Sequence, residues 1–450
     1  MSRRKEKLSL GAFLLFTGHH VAAWRSPDAS DSQTLADFVQ FTKIAEDAKF
    51  DAIFLADIVG VRIDRMAAAS HKAHSGVYPF EPLTLLSALA AVTSRIGLVA
   101  TVSTSFNEPF NVARQFASLD RLSGGRAGWN LVTSTEPSAA LNFNSSVLSP
   151  HAERYDRAEE FADVVRGLWD SWDDDAFVRD RESGLYFDPA KLHVLNHHGS
   201  HFRVRGPLNI PPSPQGRPVV VQAGSSDPGK ELAARTAEAI FTAQQTLGEA
   251  IAFYADVKGR LAKYGRSADE LKILPGVFPV IGKTESEARE KFEQLQSLIL
   301  PEVGLDLLAN FLGSEDILKA APDGPLPELK ETEGGKSRQA LLVELARREK
   351  LSVRDLYLRI AGARGHWQLV GTPVQIADQL EERFENYGAD GFNIMAPTLP
   401  TGLTDFVRLV VPELRRRGLF REEYEGSTLR DHLGLPRPQR TPRQAAVAAE

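Results

Sequence analysis

The sequence predicts an α/β fold of the (β/α)8 barrel type, and three observations predict it. Eight apolar runs recur along the 450 residues, each followed by a stretch with helical spacing. The runs are apolar on both faces, as parallel strands covered on both sides must be. With 42% hydrophobic and 25% charged residues the chain has a globular balance, and a barrel with insertions absorbs this length as one domain.

The first run, "LSLGAFLLF" at 8–16, precedes residues 34–50, where Leu35, Phe38, Val39, Ile44, Ala45 and Ala48 follow a helical period. The second, 51–58, carries an acidic residue, Asp57, near its end and leads to a helix over 81–93. The third, 95–106, leads to a helix opened by Pro109 and closed by Gly124 and Gly125. The fourth, 126–134, precedes a helix over 151–172. Strands over 218–224, 238–243 and 271–282 each precede a helix, and 372–388 is a helix before the last strand at 391–397. "DFVRLVVPELRRRG" closes the set as a final helix.

Three segments depart from the minimal unit, at 59–80, 173–217 and 300–370; the first and third are expected to act as lids. Residues 1–437 then form a single domain, and the basic, proline-rich stretch from 438 to 450 is expected to be disordered. A doubly wound open sheet is the alternative architecture.

Composition narrows the function. A net charge of -6 argues against nucleic acid, and the absence of cysteine removes disulfides, thiolate ligands and thiol nucleophiles. No apolar stretch approaches the roughly 20 residues that span a bilayer. The basic start has no small-residue cleavage site behind it, so a cytoplasmic protein is expected.

Catalytic groups of such barrels sit at the carboxyl ends of the strands. Those positions hold His19, His20, Trp24 and Arg25 after the first strand, and Asp57 after the second. Ser103 and Thr104 follow the third; Asn130 and Thr133 end the fourth, with His151 and Tyr155 just beyond. The fifth runs into "AGSSDPG", with Ser225 and Ser226. Small residues there bring the backbone close to a ligand, and the following helix aims free N–H groups at it, which suits an anion. A serine N-cap on a tight turn explains the same residues. His151 and Tyr155, four apart, share one helix face. For a substrate, Phe13, Phe54 and Trp24 suit an aromatic or organosulfur compound, whereas Arg25, Arg62 and Arg65 suit carboxylates.

Other patterns do not carry chemistry. "EGGKS" has Lys330 where a phosphate-binding loop needs its first glycine. "HVLNHHGSH" has four histidines but no neighbouring carboxylate, and His19 and His20 are adjacent, so their rings diverge; no metal is expected.

Several longer stretches carry a resemblance: "GHHVAAWRSP", "FDAIFLAD", "STSFNEPFNVARQFASLDRLSGGRAGWNLVTS", "HAERYDRAEEF", "PVVVQAGSS", "DGFNIMAP" and "LRDHLGLPRP". Together they are similar to the bacterial luciferase-like flavin monooxygenases, in the branch of the nitrilotriacetate, EDTA and dibenzothiophene-sulfone monooxygenases and pristinamycin synthase. That resemblance implies a luciferase-like barrel binding reduced FMN supplied by a separate NAD(P)H:flavin reductase. O2 would react on the flavin to a C4a-(hydro)peroxide or related adduct that oxidises a small organic substrate, within a homodimer or homotetramer. Asp57, Thr104, His151, Tyr155 and Ser226 match the family's flavin contacts, with Ser103 and Ser225 as neighbours and Asn130 and Thr133 beside the ring system. The phosphate falls at Ser225 and Ser226, held with Tyr155. His20, Trp24 and Arg25 match the loop beside the reactive face, with His20 as the group that assists proton transfer. Asn310 stands where some relatives carry a histidine, so no catalytic histidine is expected from that segment. A deazaflavin-dependent oxidoreductase of the same superfamily and a non-catalytic flavin-binding protein are the competing readings.

Overall fold

The computed structural model describes residues 4–31, 33–73, 76–134, 136–144, 147–329 and 336–440. The strands are β1 (Ser9–Phe13), β2 (Ala52–Leu55), β3 (Gly97–Ser103), β4 (Ala127–Val132), β5 (His197–His198), β6 (Arg203–Val204), β7 (Val219–Gln222), β8 (Ala239–Thr242), β9 (Lys272–Ile281), β10 (Trp367–Gly371) and β11 (Gly391–Ile394). Eight of them pair in parallel in the order β9-β11-β1-β2-β3-β4-β7-β8, and β8 pairs with β9 to close the barrel. All eight expected strands are present, so the open-sheet alternative falls.

Side chains alternate across the wall. Phe13, Phe54, Val99, Val221, Phe241 and Met395 meet in one cluster, while Trp129, Phe116 and Phe161 pack in another with the surrounding helices. Apolar residues on both faces of one strand are what allow both clusters to form. At the amino-terminal end Leu429 seals the barrel: a Cβ on Gly97 would lie 2.4 Å from its side chain.

Three features differ from the expectation. β10 is a ninth strand that lies outside the barrel and pairs with the far half of β9, Trp367 opposite Val277. It occupies the end of the segment read as a continuous insertion. The final helix is not uniform: a π turn at Phe406–Val410 separates Thr401–Asp405 from Val411–Arg416. Pro412 has no N–H to donate into the preceding turn, a local reason for that widening. Residues 438–440, expected to be disordered, lie against the segment at 173–217: Arg440 pairs with Asp173 at 2.6 Å and Asp174 at 3.0 Å. The rest of the expected tail, 441–450, lies outside the described residues, as do 330–335 of the segment containing "EGGKS".

The long insertion has its own apolar centre. Helices Pro301–Leu312 and Val353–Ala361 bring together Val303, Leu308, Leu312, Leu356, Tyr357 and Ile360, joined by Val21 and Ala22 of the loop after β1. The insertion after β2 is fastened to it by charge. Arg65 donates to Asp306 at 3.0 Å, and Lys72 also pairs with that buried carboxylate. Desolvation works against a buried ion group, but two cations on one carboxylate, with hydrogen bonds, make the contact directional.

Candidate active site

The carboxyl ends of β1, β2 and β8 form an aromatic floor. Phe13 meets Phe54 edge-on at 5.0 Å and Phe241 at 5.4 Å between ring centroids, and Phe54 lies 5.4 Å from Phe241. His366, from the turn before β10, stacks on Phe241 at 4.9 Å with planes 15° apart. Gly276 of β9 makes this possible: a Cβ there would lie 2.4 Å from His366 Nδ1. On β4, Asn130 is buried and its Nδ2 donates to Thr101 Oγ1 at 2.9 Å. Its Oδ1 is buried with no hydrogen-bond partner among the described residues. Such an acceptor is costly unless a ligand supplies the donor.

A second group forms where β7 meets the helix Asp227–Thr236. Ser226 is the N-cap, its Oγ accepting from Gly229 N at 3.3 Å and lying 3.4 Å from the Tyr155 hydroxyl. Gly224 and Gly229 touch backbone to backbone, since a Cβ on Gly224 would lie 2.9 Å from Gly229 Cα. The acid in the first turn, Asp227, turns away to Arg260 at 2.6 Å. His151 and Tyr155, at the start of the helix His151–Trp169, have ring centroids 4.8 Å apart. Ser225 and His151 are exposed, and Ser226 and Tyr155 half-buried.

Arg154, absent from the sequence reading, adds a cation beside Tyr155. Its Nη1 donates to Ser134 O at 2.8 Å, and no carboxylate pairs with it among the described residues. Between the two groups, Ser103 Oγ lies 2.7 Å from Ser134 Oγ. Buried Thr104 donates to Val132 O at 3.2 Å, and Thr133 follows β4 half-buried.

Asp57 is half-buried above β2, and desolvation, together with the Glu81 carboxylate, pushes its pKa up to about 6.

The loop after β1 differs from the expectation. His19 and His20 diverge, and both are fully buried. Arg364 Nη2 donates to His19 Nδ1 at 2.7 Å, which leaves the His19 proton on Nε2, donated to Phe13 O at 2.9 Å. His20 faces the helix Glu285–Ser297: Ala22 N–H donates to its Nδ1 at 3.2 Å, and its Nε2–H donates to Gln296 Oε1 at 3.0 Å. Burial pushes its pKa down to about 4 despite the Gln296 hydrogen bond. With both nitrogens engaged and protonation disfavoured, His20 is built as a brace, and the proton-transfer role expected of it does not fit this geometry. Trp24 donates from its indole to His71 O at 3.0 Å with its side chain 44% exposed, and Arg25 donates to Leu298 O. Trp24 stitches the loop to the insertion after β2, and Arg25 ties it to the end of the helix Glu285–Ser297.

The four clustered histidines are likewise engaged in local contacts. His197 Nε2 meets Glu160 at 2.8 Å, and the other Glu160 oxygen accepts from His201 N–H at 2.9 Å, pinning the β5–β6 hairpin. Among the described residues no group of three His, Cys, Asp or Glu side chains could hold a metal.

Phe241, His366, Arg364 and Tyr78, whose ring packs against the cluster of Phe13, Phe54 and Phe241, were not singled out from sequence. Phe241 was within reach, as the aromatic near the end of an expected strand; the other three come from insertions without a period to place them.

The chain matches the family model for luciferase-like monooxygenase over residues 12–391. It is 52% identical to N-acetyl-S-(2-succino)cysteine monooxygenase of Bacillus subtilis, over 97% of this chain and 99% of that one. It is 51% identical to nitrilotriacetate monooxygenase component A of Aminobacter aminovorans, over 96% and 98%. A solved riboflavin lyase with modified FMN and riboflavin superposes with a TM-score of 0.83 at 34% identity, covering 95% and 96%. A closed parallel barrel with an aromatic floor, together with this similarity over nearly the whole length, makes the chain an enzyme of the luciferase-like monooxygenase family.

Proposed function

We propose that this enzyme is the oxygenase component of a two-component FMN-dependent monooxygenase, acting in the cytoplasm on a small organic substrate. A separate NAD(P)H:flavin reductase delivers the flavin already reduced. The observation that carries this is the orphaned Asn130 Oδ1 above an aromatic floor, with an anion-suited helix start at the other end of the same mouth. The donor set fits a flavin: an acceptor for a ring N–H, apolar rings for its edge, and hydroxyls with backbone N–H groups for its phosphate. The relative named component A, and a solved relative holding modified FMN, support the same reading.

In this reading Ser225, Ser226 and Tyr155 hold the phosphate, with Arg154 adding positive charge and His151 packing on Tyr155. Asn130, Thr133, Thr104 and Ser103 border the ring system, and Asp57 stands at its rim. Phe13 and Phe54 set the substrate's place over the floor, while Trp24 holds the insertion after β2 and His20 and Arg25 hold the helix Glu285–Ser297 and its end. Bound reduced FMN would supply the two electrons that, with two protons, reduce one atom of O2 to water while the other enters the substrate. The chain's share is to orient both and exclude water, which the two insertions do by covering the mouth.

Anaerobic fluorescence titration tests this. Reduced FMN is expected to bind, and more tightly than oxidised FMN, since a diffusing cofactor must arrive reduced and leave oxidised. Asn130→Leu, which removes the acceptor, is expected to weaken reduced FMN by roughly tenfold. No binding of reduced FMN to the wild type overturns the proposal.

A further inference from the structure

Arg364, half-buried, stands out among the cations of this molecule. It lies in the turn between the helix Val353–Ala361 and β10, two residues before His366, which enters the barrel mouth over Gly276. Among the described residues its one side-chain hydrogen bond is to His19 Nδ1, and its Nε is buried without a partner. No carboxylate pairs with it there; the charged form faces a neutral imidazole and the Tyr78 phenol. Arg126 shows how the same chain settles such a group when the purpose is structural. That guanidinium, also without a carboxylate, donates to carbonyls of Ser123, Ile96, Ala90 and Thr93. Arg364 has no comparable set.

Its place is also constrained. Arg364 adopts left-handed backbone at φ 49, a conformation that favours glycine, and Gly365 follows at φ 87. His19, which it holds, lies 4.4 Å from the Phe13 ring, so the guanidinium sits within one side chain of the aromatic floor. A desolvated guanidinium beside an apolar floor, with donors to spare, is suited to a carboxylate on a short carbon chain, which it can grip through two parallel N–H bonds.

We propose that Arg364 is the specificity-determining residue of the site and binds a carboxylate group of the substrate, making this a monooxygenase of small organic acids. The inference rests on the flavin reading above, in which the flavin's own phosphate lies at the far end of the mouth by Ser226. Arg364 then fixes the acid end, and the carbon chain lies along Phe13, Phe54 and Phe241.

The test uses calorimetric titration of the full chain, with and without FMN, against nitrilotriacetate and succinate, and against succinamide as the uncharged control. Wild type is expected to bind at least one of the acids and not the amide. Arg364→Gln is expected to weaken that binding tenfold or more, Arg364→Lys to recover part of it, and FMN affinity to stay within about twofold in both. Thermal melts of each variant check that it is folded. Acid binding that is unchanged in Arg364→Gln overturns the proposal, as does a wild type that binds neither acid. Loss of FMN in place of the acid also overturns it and assigns Arg364 to the flavin. A wild type that binds acid but no FMN removes the flavin reading and leaves the carboxylate site standing.

Discussion

At the scale of single residues, an imidazole sealed between a backbone N–H and an amide resists protonation, and that resistance has a pH signature. The pKa of His20 is near 4 in the folded chain against 6.5 when free, so its neutral form adds stability above pH 6.5 that is lost as pH falls toward 4. The full difference amounts to about 3 kcal/mol. His432, also pushed down to about 4, adds to the same loss, whereas Asp51, Asp57 and Asp120, each raised to about 6, act in the opposite sense. The wild-type profile therefore mixes signs, and the informative quantity is a difference. Chemical denaturation should show His20→Asn less stable than wild type at pH 7.5, with the gap closing as pH is lowered to 4. A constant gap would mean that His20 titrates normally. The placement of Asn130 and Ser226 was legible in advance because both stand at or just after the carboxyl end of an expected barrel strand. The bonding of His20 was not, because Gln296 meets it from 276 positions away and leaves no local trace.

At the scale of elements, the start of the helix Asp227–Thr236 permits a sharper test than any side chain alone. Ser226→Glu places a carboxylate where the phosphate would lie, beside the Tyr155 hydroxyl. FMN affinity should fall by two orders of magnitude or more, while riboflavin, which has no phosphate, changes only a fewfold. Equal loss of both in parallel titrations would move the phosphate elsewhere. The eight barrel strands were readable because each is apolar on both faces, a pattern no surface segment needs. β10 was not: "WQLVG" is five residues long and mostly half-buried, so although Gly362 and Gly365 mark a turn before it, the run is too short to show a strand period.

At the scale of the molecule, every strand of the barrel is committed to one closed sheet, and the sequence holds no Gly-x-Gly-x-x-Gly turn for a dinucleotide. The purified protein is therefore expected not to oxidise NADH by itself. Photochemically reduced FMN, with O2 and an accepted substrate, should give product without a reductase, and NADH consumption by the protein alone would exclude the two-component scheme. The barrel and its mouth were thus foreseeable, whereas the roof was foreseeable only as extra length. That roof is also the part with an apolar centre of its own, built around Leu308, Leu312, Leu356 and Tyr357. A unit with its own interior can take substitutions without disturbing the pairing of the strands beneath it. Arg364 hangs from that unit, so on the carboxylate proposal the choice of substrate is set by a part of the chain that contributes no strand to the closed barrel.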